Sequence, residues 1–254
     1  MRLLDRYAYA CAIRRVDPAQ KAALALLAIL LCLLLDRPAV GLLAVLWMLA
    51  LAALWARVPA AVFVRVLCAE AAFLALSVLG VALSAGMGVP AAVWAWRIGP
   101  LWVGSSPAAL ETTLRLVARA LGCASALNFL ILTAPMVDLI DLLRRLRVSE
   151  TLIDVMMITY RAIFILLDSM GRMYAAQDAR LGYRDARRAL RSAALLASGL
   201  FLDAFRRSRR MQLALECRGM DGPLRVLPAQ YVRDGRTPWL AAALAASLLA
   251  AALL

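Results

Sequence analysis

Residues 150–182 read ETLIDVMMITYRAIFILLDSMGRMYAAQDARLG, and residues 185–219 read DARRALRSAALLASGLFLDAFRRSRRMQLALECRG. Ser149 is an N-cap candidate with Glu150 in the first turn, and the run that follows is apolar nearly all round from Leu152 to Leu167. A helix of that kind is buried against protein or lipid. Gly182 closes it as a C-cap glycine, which leaves Arg180 at the helix tip. The second run, from Asp185 to Arg218, carries the basic patch Arg206, Arg207, Arg209 and Arg210 and is stopped in the same way by Gly219. Two successive long helices therefore end alike, in Ala179-Arg180-Leu181-Gly182 and in Cys217-Arg218-Gly219. One arginine beside a C-cap glycine is accounted for by complementarity to the helix dipole. Two of them, at the ends of neighbouring helices, point to docking in which each guanidinium reaches an acidic groove.

The remainder of the chain is built for lipid. Of its 254 residues 65% are apolar, and mean hydropathy is +0.81, far above ordinary soluble usage. Crossing a bilayer takes ~20 apolar residues, and such stretches recur. The first starts near Pro18, behind the N-cap candidate Asp17, and ends at Asp36-Arg37-Pro38, without the small-residue site at which a signal peptide would be cut. Further spans run from about Ala39 to Ala56, Val66 to Ala85, Thr112 to Thr133 and Trp239 to Leu254. Ala118, Gly122 and Ala126 recur every fourth residue and predict a close helix seam. The segment from Gly86 to Ala109, with Trp94, Trp96 and Trp102, reads as a loop resting on the outer headgroup layer. The expected fold is an all-α integral membrane protein with about five transmembrane helices and a cytoplasmic unit of two long helices. Its parts are a cytoplasmic segment at 1–21, a four-span bundle at 22–133, a cytoplasmic region at 134–236 and a last transmembrane helix at 237–254.

Net charge is +13, almost all of it from arginine, since Lys21 is the single lysine. In this topology only Arg37, Arg97, Arg115 and Arg119 of the 29 basic residues fall outside, which places the N-terminus in the cytoplasm. The same bias accounts for the basic balance without nucleic acid as a partner, and the Arg206–Arg210 patch reads as a solvated face or an anionic-lipid contact.

Enzymatic chemistry finds little material here. There is no histidine, and Cys11, Cys32, Cys68, Cys123 and Cys217 show no metal-binding spacing, which removes most metal and redox chemistry. Acid-then-arginine pairs recur as Asp141/Arg145, Asp168/Arg172 and Asp203/Arg207, the i,i+4 spacing of helix-surface ion pairs worth about 0.2–0.5 kcal/mol each. Glu111 and Arg115 have the same spacing. A stand-alone carrier or channel for a small solute would need polar groups converging inside the membrane, and Asp36, Glu70, Arg119 and Asn128 are the candidates. Methionine lines surfaces that re-pack, and Met156, Met157, Met170, Met173 and Met211 form a candidate surface for a membrane partner.

The stretch Tyr174-x-x-Gln177-x-Ala179-Arg180-Leu181-Gly182, the stretch Cys217-Arg218-Gly219-Met220-Asp221-Gly222 and Tyr160-Arg161 upstream resemble the transmembrane coupling subunit of energy-coupling factor (ECF) transporters. Leu4-Asp5-Arg6-Tyr7-Ala8 and Arg15-Val16-Asp17-Pro18-x-x-Lys21 narrow the resemblance to the CbiQ branch, whose systems import cobalt or nickel ions. The likeness covers nearly the whole chain. It implies two crossed coupling helices whose arginines, here Arg180 and Arg218, each insert into a groove of one subunit of an ABC-type, CbiO-like ATPase pair. Leu181 stands where the family usually has a small residue, and Cys217 where it often has alanine. The resemblance further implies a CbiM-like substrate-binding membrane subunit, with a small CbiN-like subunit in some systems, and no cofactor on this chain, ATP and Mg belonging to the ATPases. It implies a multi-pass, non-catalytic subunit in the bacterial or archaeal inner membrane.

Overall fold

The structure, a computed structural model, describes residues 7–82, 84–86, 94–98, 101–105, 107–220 and 231–253, with side chains described outside 76–110. In chain order the helices are α1 (Pro18–Leu34), α2 (Pro38–Ala50), α3 (Ala60–Ala82), α4 (Pro107–Thr133), α5 (Met136–Arg145), α6 (Glu150–Asp178), α7 (Ala186–Glu216) and α8 (Arg236–Leu253). The chain divides into two compact units, Met1–Leu139 with Ala229–Leu254, and Ile140–Pro228.

In the first unit α4 is the central helix, packed by α1, α2 and α3, while α8 lies against α1 and α2. Helix starts follow local chemistry. Asp17 caps α1, its Oδ1 accepting from Ala19 N–H at 3.1 Å, with Pro18 in the first turn where no amide donor is needed. Pro38 opens α2 in the same way behind Arg37. A π-turn over Leu51–Trp55 extends α2, and the chain then breaks at Arg57, which has φ +55°.

The spacing of small residues on α4 does produce a seam. Ala118 and Ala126 are buried, and an added Cβ on Gly122 would lie 3.0 Å from Cys32 Sγ and 3.1 Å from Gly41 Cα. The facing glycine on α2 fits still more closely, because a Cβ on Gly41 would come within 2.1 Å of the Ala118 carbonyl oxygen. The backbones of α2 and α4 thus touch directly, a packing that dispersion favours when lipid supplies no hydrophobic drive. Trp55 stacks on Phe129 beside the seam, centroids 6.4 Å apart.

Elsewhere the bundle presents leucine and phenylalanine outward, with Leu54 80% and Phe73 76% exposed. In water such faces would aggregate; in hydrocarbon they are solvated. Among the described residues three helical stretches are long and apolar enough to cross a membrane, Pro38–Trp55, Glu111–Thr133 and Arg236–Leu253, and Pro18–Leu34 is a shorter apolar helix. The chain is a predominantly helical integral membrane protein.

One end of this unit is tied together by polar contacts. Lys21 is fully buried, and its ammonium donates to the Thr133 carbonyl at 3.0 Å with Asp138 and Asp17 in electrostatic reach. Val16 pairs with Val232 as a parallel bridge, the Gln20 side chain exchanges two hydrogen bonds with the Asp234 backbone, and Tyr231 OH donates to Asp138 at 3.1 Å. A buried cation left without such partners would cost several kcal/mol.

The stretch expected to be a loop between α3 and α4 contains regular structure. Strands β1 (Ser84–Gly86), β2 (Trp94–Ile98) and β3 (Leu101–Ser105) form an antiparallel sheet in the order β1-β3-β2, with Ile98 opposite Leu101 and Ser84 opposite Gly104. Tryptophan, isoleucine and valine favour extended backbone, and pairing satisfies amide groups that have little water to turn to near a membrane. The headgroup-layer expectation for Trp94, Trp96 and Trp102 concerns side chains outside the described residues.

Candidate functional site

The second unit contains α6 and α7, which pack on one another. Their long runs stop for the same geometric reason, with one exchange of roles that the sequence conceals. At the end of α6, Gly182 N–H donates to Gln177 O at 2.9 Å and Leu181 N–H to Asp178 O at 2.8 Å. At the end of α7, Met220 N–H donates to Leu215 O at 3.1 Å and Gly219 N–H to Glu216 O at 2.9 Å. Both are Schellman turns, whose penultimate residue must be left-handed. That residue is Gly219 (φ +63°) in the second turn but Leu181 (φ +58°) in the first.

The expected C-cap role of Gly182 is thus corrected: it lies one place beyond the left-handed position. Its lack of a side chain serves a close approach instead, since a Cβ there would lie 2.6 Å from Ser192 Oγ and 2.8 Å from Gln177 O. Leu181 bears the backbone cost, about 1–2 kcal/mol for an L-residue in this region.

Arg180 and Arg218 occupy the same position in the two turns, immediately before the left-handed residue, and both are exposed along with Ala179, Leu181, Cys217 and Gly219. Among the described residues neither guanidinium has a hydrogen bond or ion pair. A third turn of this type ends α5, where Val148 N–H reaches Leu143 O at 3.2 Å and Arg147 has φ +60°, but there the matching position is Leu146. An arginine is therefore no requirement of the turn itself.

The first tip is braced by side-chain contacts. Ser192 Oγ donates to Gly182 O at 3.0 Å, Tyr183 OH donates to Gln177 Oε1 at 2.7 Å, and the Tyr174 and Tyr183 rings stack at 4.6 Å. Desolvation, with Tyr174 and Asp178 nearby, pushes the Tyr183 phenol upward in pKa. At the second tip no atom of the described residues lies within 4 Å of where a Cβ on Gly219 would be.

Between the tips the two helices are pinned by a polar contact. Asp203 on α7 accepts from Ser169 Oγ of α6 at 2.8 Å and from Arg207 Nε at 3.0 Å. These two hydrogen bonds, that of Ser169 first, hold the carboxyl below the usual aspartate range. The i,i+4 spacing disclosed the Asp203/Arg207 pair, as it did Asp141/Arg145 at 3.3 Å and Glu111/Arg115. Ser169, only 4% exposed, was not legible as a contact, because no local spacing ties it to Asp203 on the next helix. Nearby, Met173 lies against Gly199, its Sδ 3.5 Å from a Cβ position there.

The methionines do not make one uniform surface. Met170 and Met211 are exposed at 38% and 36%, whereas Met156, Met157 and Met173 are half-buried. Larger exposed apolar groups accompany them on α7, chiefly Leu190, Phe201 and Phe205. Within the bundle, the polar candidates resolve into local pairs: Asn128 Nδ2 donates to Glu70 Oε2 at 2.8 Å, and Arg119 bonds the Leu33 carbonyl with Asp36 at 3.7 Å. Among the described residues no group of three or more His, Cys, Asp or Glu could hold a metal ion.

An apolar helical bundle joined to a two-helix unit with two exposed arginines at its helix ends describes an integral membrane protein. The pattern of the family described as "Cobalt transport protein", CbiQ, matches residues 11–228, and the chain belongs to that family. It is 37% identical over 164 residues to the cobalt transport protein CbiQ of Rhodobacter capsulatus, an alignment covering 65% of this chain and 67% of that one. It is 33% identical over 125 residues to CbiQ of Salmonella typhimurium, covering 49% and 56% respectively. A putative fused cobalt transport protein CbiMQ of Methanocorpusculum labreanum is 30% identical over 127 residues, half of this chain and 21% of the fused protein.

Proposed function

We propose that this chain is the transmembrane coupling component of an ECF-type importer for cobalt or nickel ions. It catalyses nothing itself. Arg180 and Arg218 dock into the grooves of an ABC-type, CbiO-like ATPase pair on the cytoplasmic side, where the N-terminus also lies. ATP and Mg bind the ATPases; a separate CbiM-like membrane subunit, with a small CbiN-like subunit in some systems, takes the metal ion. Closure of the ATPase pair draws the helix tips together, and α6 and α7, joined at Ser169 and Asp203, pass the movement to the substrate subunit as rigid levers.

The observation that carries this reading is the placement of two exposed arginines, unpaired among the described residues, at the same position of two like turns. Helix-dipole complementarity would accept a cation anywhere in the last turn, and the third such turn manages with leucine. Bidentate capture by a carboxylate is what an exposed guanidinium in a fixed geometry offers. The fused CbiMQ relative supports a CbiM-like neighbour, since fusion joins chains that work together. Met170 and Met211, with the exposed apolar groups of α7, are the surface proposed for that neighbour.

The test is the double substitution Arg180→Ala and Arg218→Ala in the reconstituted complex. The expected result is loss of ATPase co-purification and of metal uptake, with the membrane bundle still folded by thermal melting. Full complex and full uptake in the double variant would refute docking.

A further inference from the structure

The two tips differ in what occupies and surrounds the left-handed position, and on the docking reading this separates their roles. At the α7 tip the residue is Gly219, with no atom of the described residues within 4 Å of a Cβ position. At the α6 tip it is Leu181, a residue that seldom adopts this conformation and is here 58% exposed. Glycine or asparagine would fit the backbone better, so the leucine is not explained by the turn. Its exposure shows that core burial does not explain it either.

The leucine is nonetheless held firmly. Gly182, next to it, has no room for a side chain, and Ser192, Gln177, Tyr174 and Tyr183 brace the turn. An apolar side chain fixed outward on a braced turn, directly beside an unpaired guanidinium, combines the two elements of an interface anchor: desolvated apolar area and a charge-assisted hydrogen bond. Bracing lowers the ordering entropy lost on association.

We infer that Leu181 is an apolar anchor that enters the ATPase groove together with Arg180, so that the α6 tip docks as a preorganised pair and the α7 tip through Arg218 alone. Strained backbone persists where the surroundings over-determine it, and such sites cluster at binding clamps. Burying a leucine side chain corresponds to roughly ten-fold or more in affinity.

The test measures binding of the purified ATPase pair to the full-length chain in lipid nanodiscs. Leu181→Asn keeps a left-handed-tolerant residue and removes the apolar body; it should weaken binding about ten-fold while melting no lower than the native chain. Leu181→Met, equally apolar, should stay within about two-fold, and so should Leu146→Asn, the same exchange at a leucine 66% exposed just after α5. Native affinity in Leu181→Asn, equal losses in Leu181→Asn and Leu146→Asn, or a loss in Leu181→Met as large as in Leu181→Asn would each overturn the inference. The Arg180→Ala, Arg218→Ala double variant separates the two levels: if it still binds, docking itself is wrong; if only it fails to bind, docking stands and Leu181 is not an anchor.

Discussion

Gly41→Ala is the smallest substitution that should disrupt the membrane bundle. The new methyl would sit 2.1 Å from the Ala118 carbonyl oxygen and 2.4 Å from its carbon. Ordinary van der Waals contact begins near 3.4 Å, so α2 and α4 would have to part by about 1 Å along the seam. Both atoms are backbone, so no rotamer change relieves the clash, and truncating Ala118 to glycine would not remove it. Overpacking of this kind costs about 1–3 kcal/mol, and the rigid partners place Gly41→Ala at the upper end. Alanine's better helix propensity returns at most about 1 kcal/mol. The assay is thermal and denaturant unfolding of the purified chain in detergent, with Gly171→Ala as the control. Gly171 lies within α6 with no atom of the described residues within 4 Å of its Cβ position, so that variant should gain roughly 0.8–1 kcal/mol. A Gly41→Ala chain that unfolds within about 0.5 kcal/mol of the native protein would refute the direct backbone contact.

Two further outcomes test the second unit. Asp203 has its carboxyl lowered by Ser169 and then Arg207, so its contribution is present above the ordinary aspartate value of 3.8 and is lost as pH falls through the lowered folded value. Asp203→Asn should therefore melt below the native chain at neutral pH by a margin that narrows below pH 3.8; a constant margin across that range would refute the charge-dependent pin. Cys217 is exposed, whereas Cys11 is buried, bonded to Thr133 O, and has its thiol pushed up by burial. A maleimide should thus label Cys217 well before Cys11, and on the docking reading the ATPase pair should shield Cys217; labelling unchanged by saturating ATPase would count against contact at that tip.

Much of the architecture was legible because membrane physics leaves few options. Apolar runs of spanning length can only be helices, and Asp17-Pro18 and Ser149-Glu150 mark starts within a residue or two of those found. Covalent spacing alone placed Arg180 and Arg218 at helix ends and matched acids to arginines one turn away, since a helix determines its own i,i+4 neighbours. The strands at 84–105 were missed because a glycine- and proline-rich stretch with isolated tryptophans carries a loop signature, and pairing depends on a partner strand.

What the sequence by itself determined is therefore local: where α1 and α6 begin, where α6 and α7 end, and which family motifs stand at those ends. Only the tertiary structure decided that Leu181 rather than Gly182 takes the left-handed conformation, because the turn closes through Gly182 N–H to Gln177 O and Leu181 N–H to Asp178 O, which puts the left-handed position at Leu181. It alone paired Gly41 with the Ala118 seam and Ser169 with Asp203, contacts between residues 77 and 34 positions apart. Helical periodicity says which residues share a face, but which face meets which depends on packing that no single helix contains.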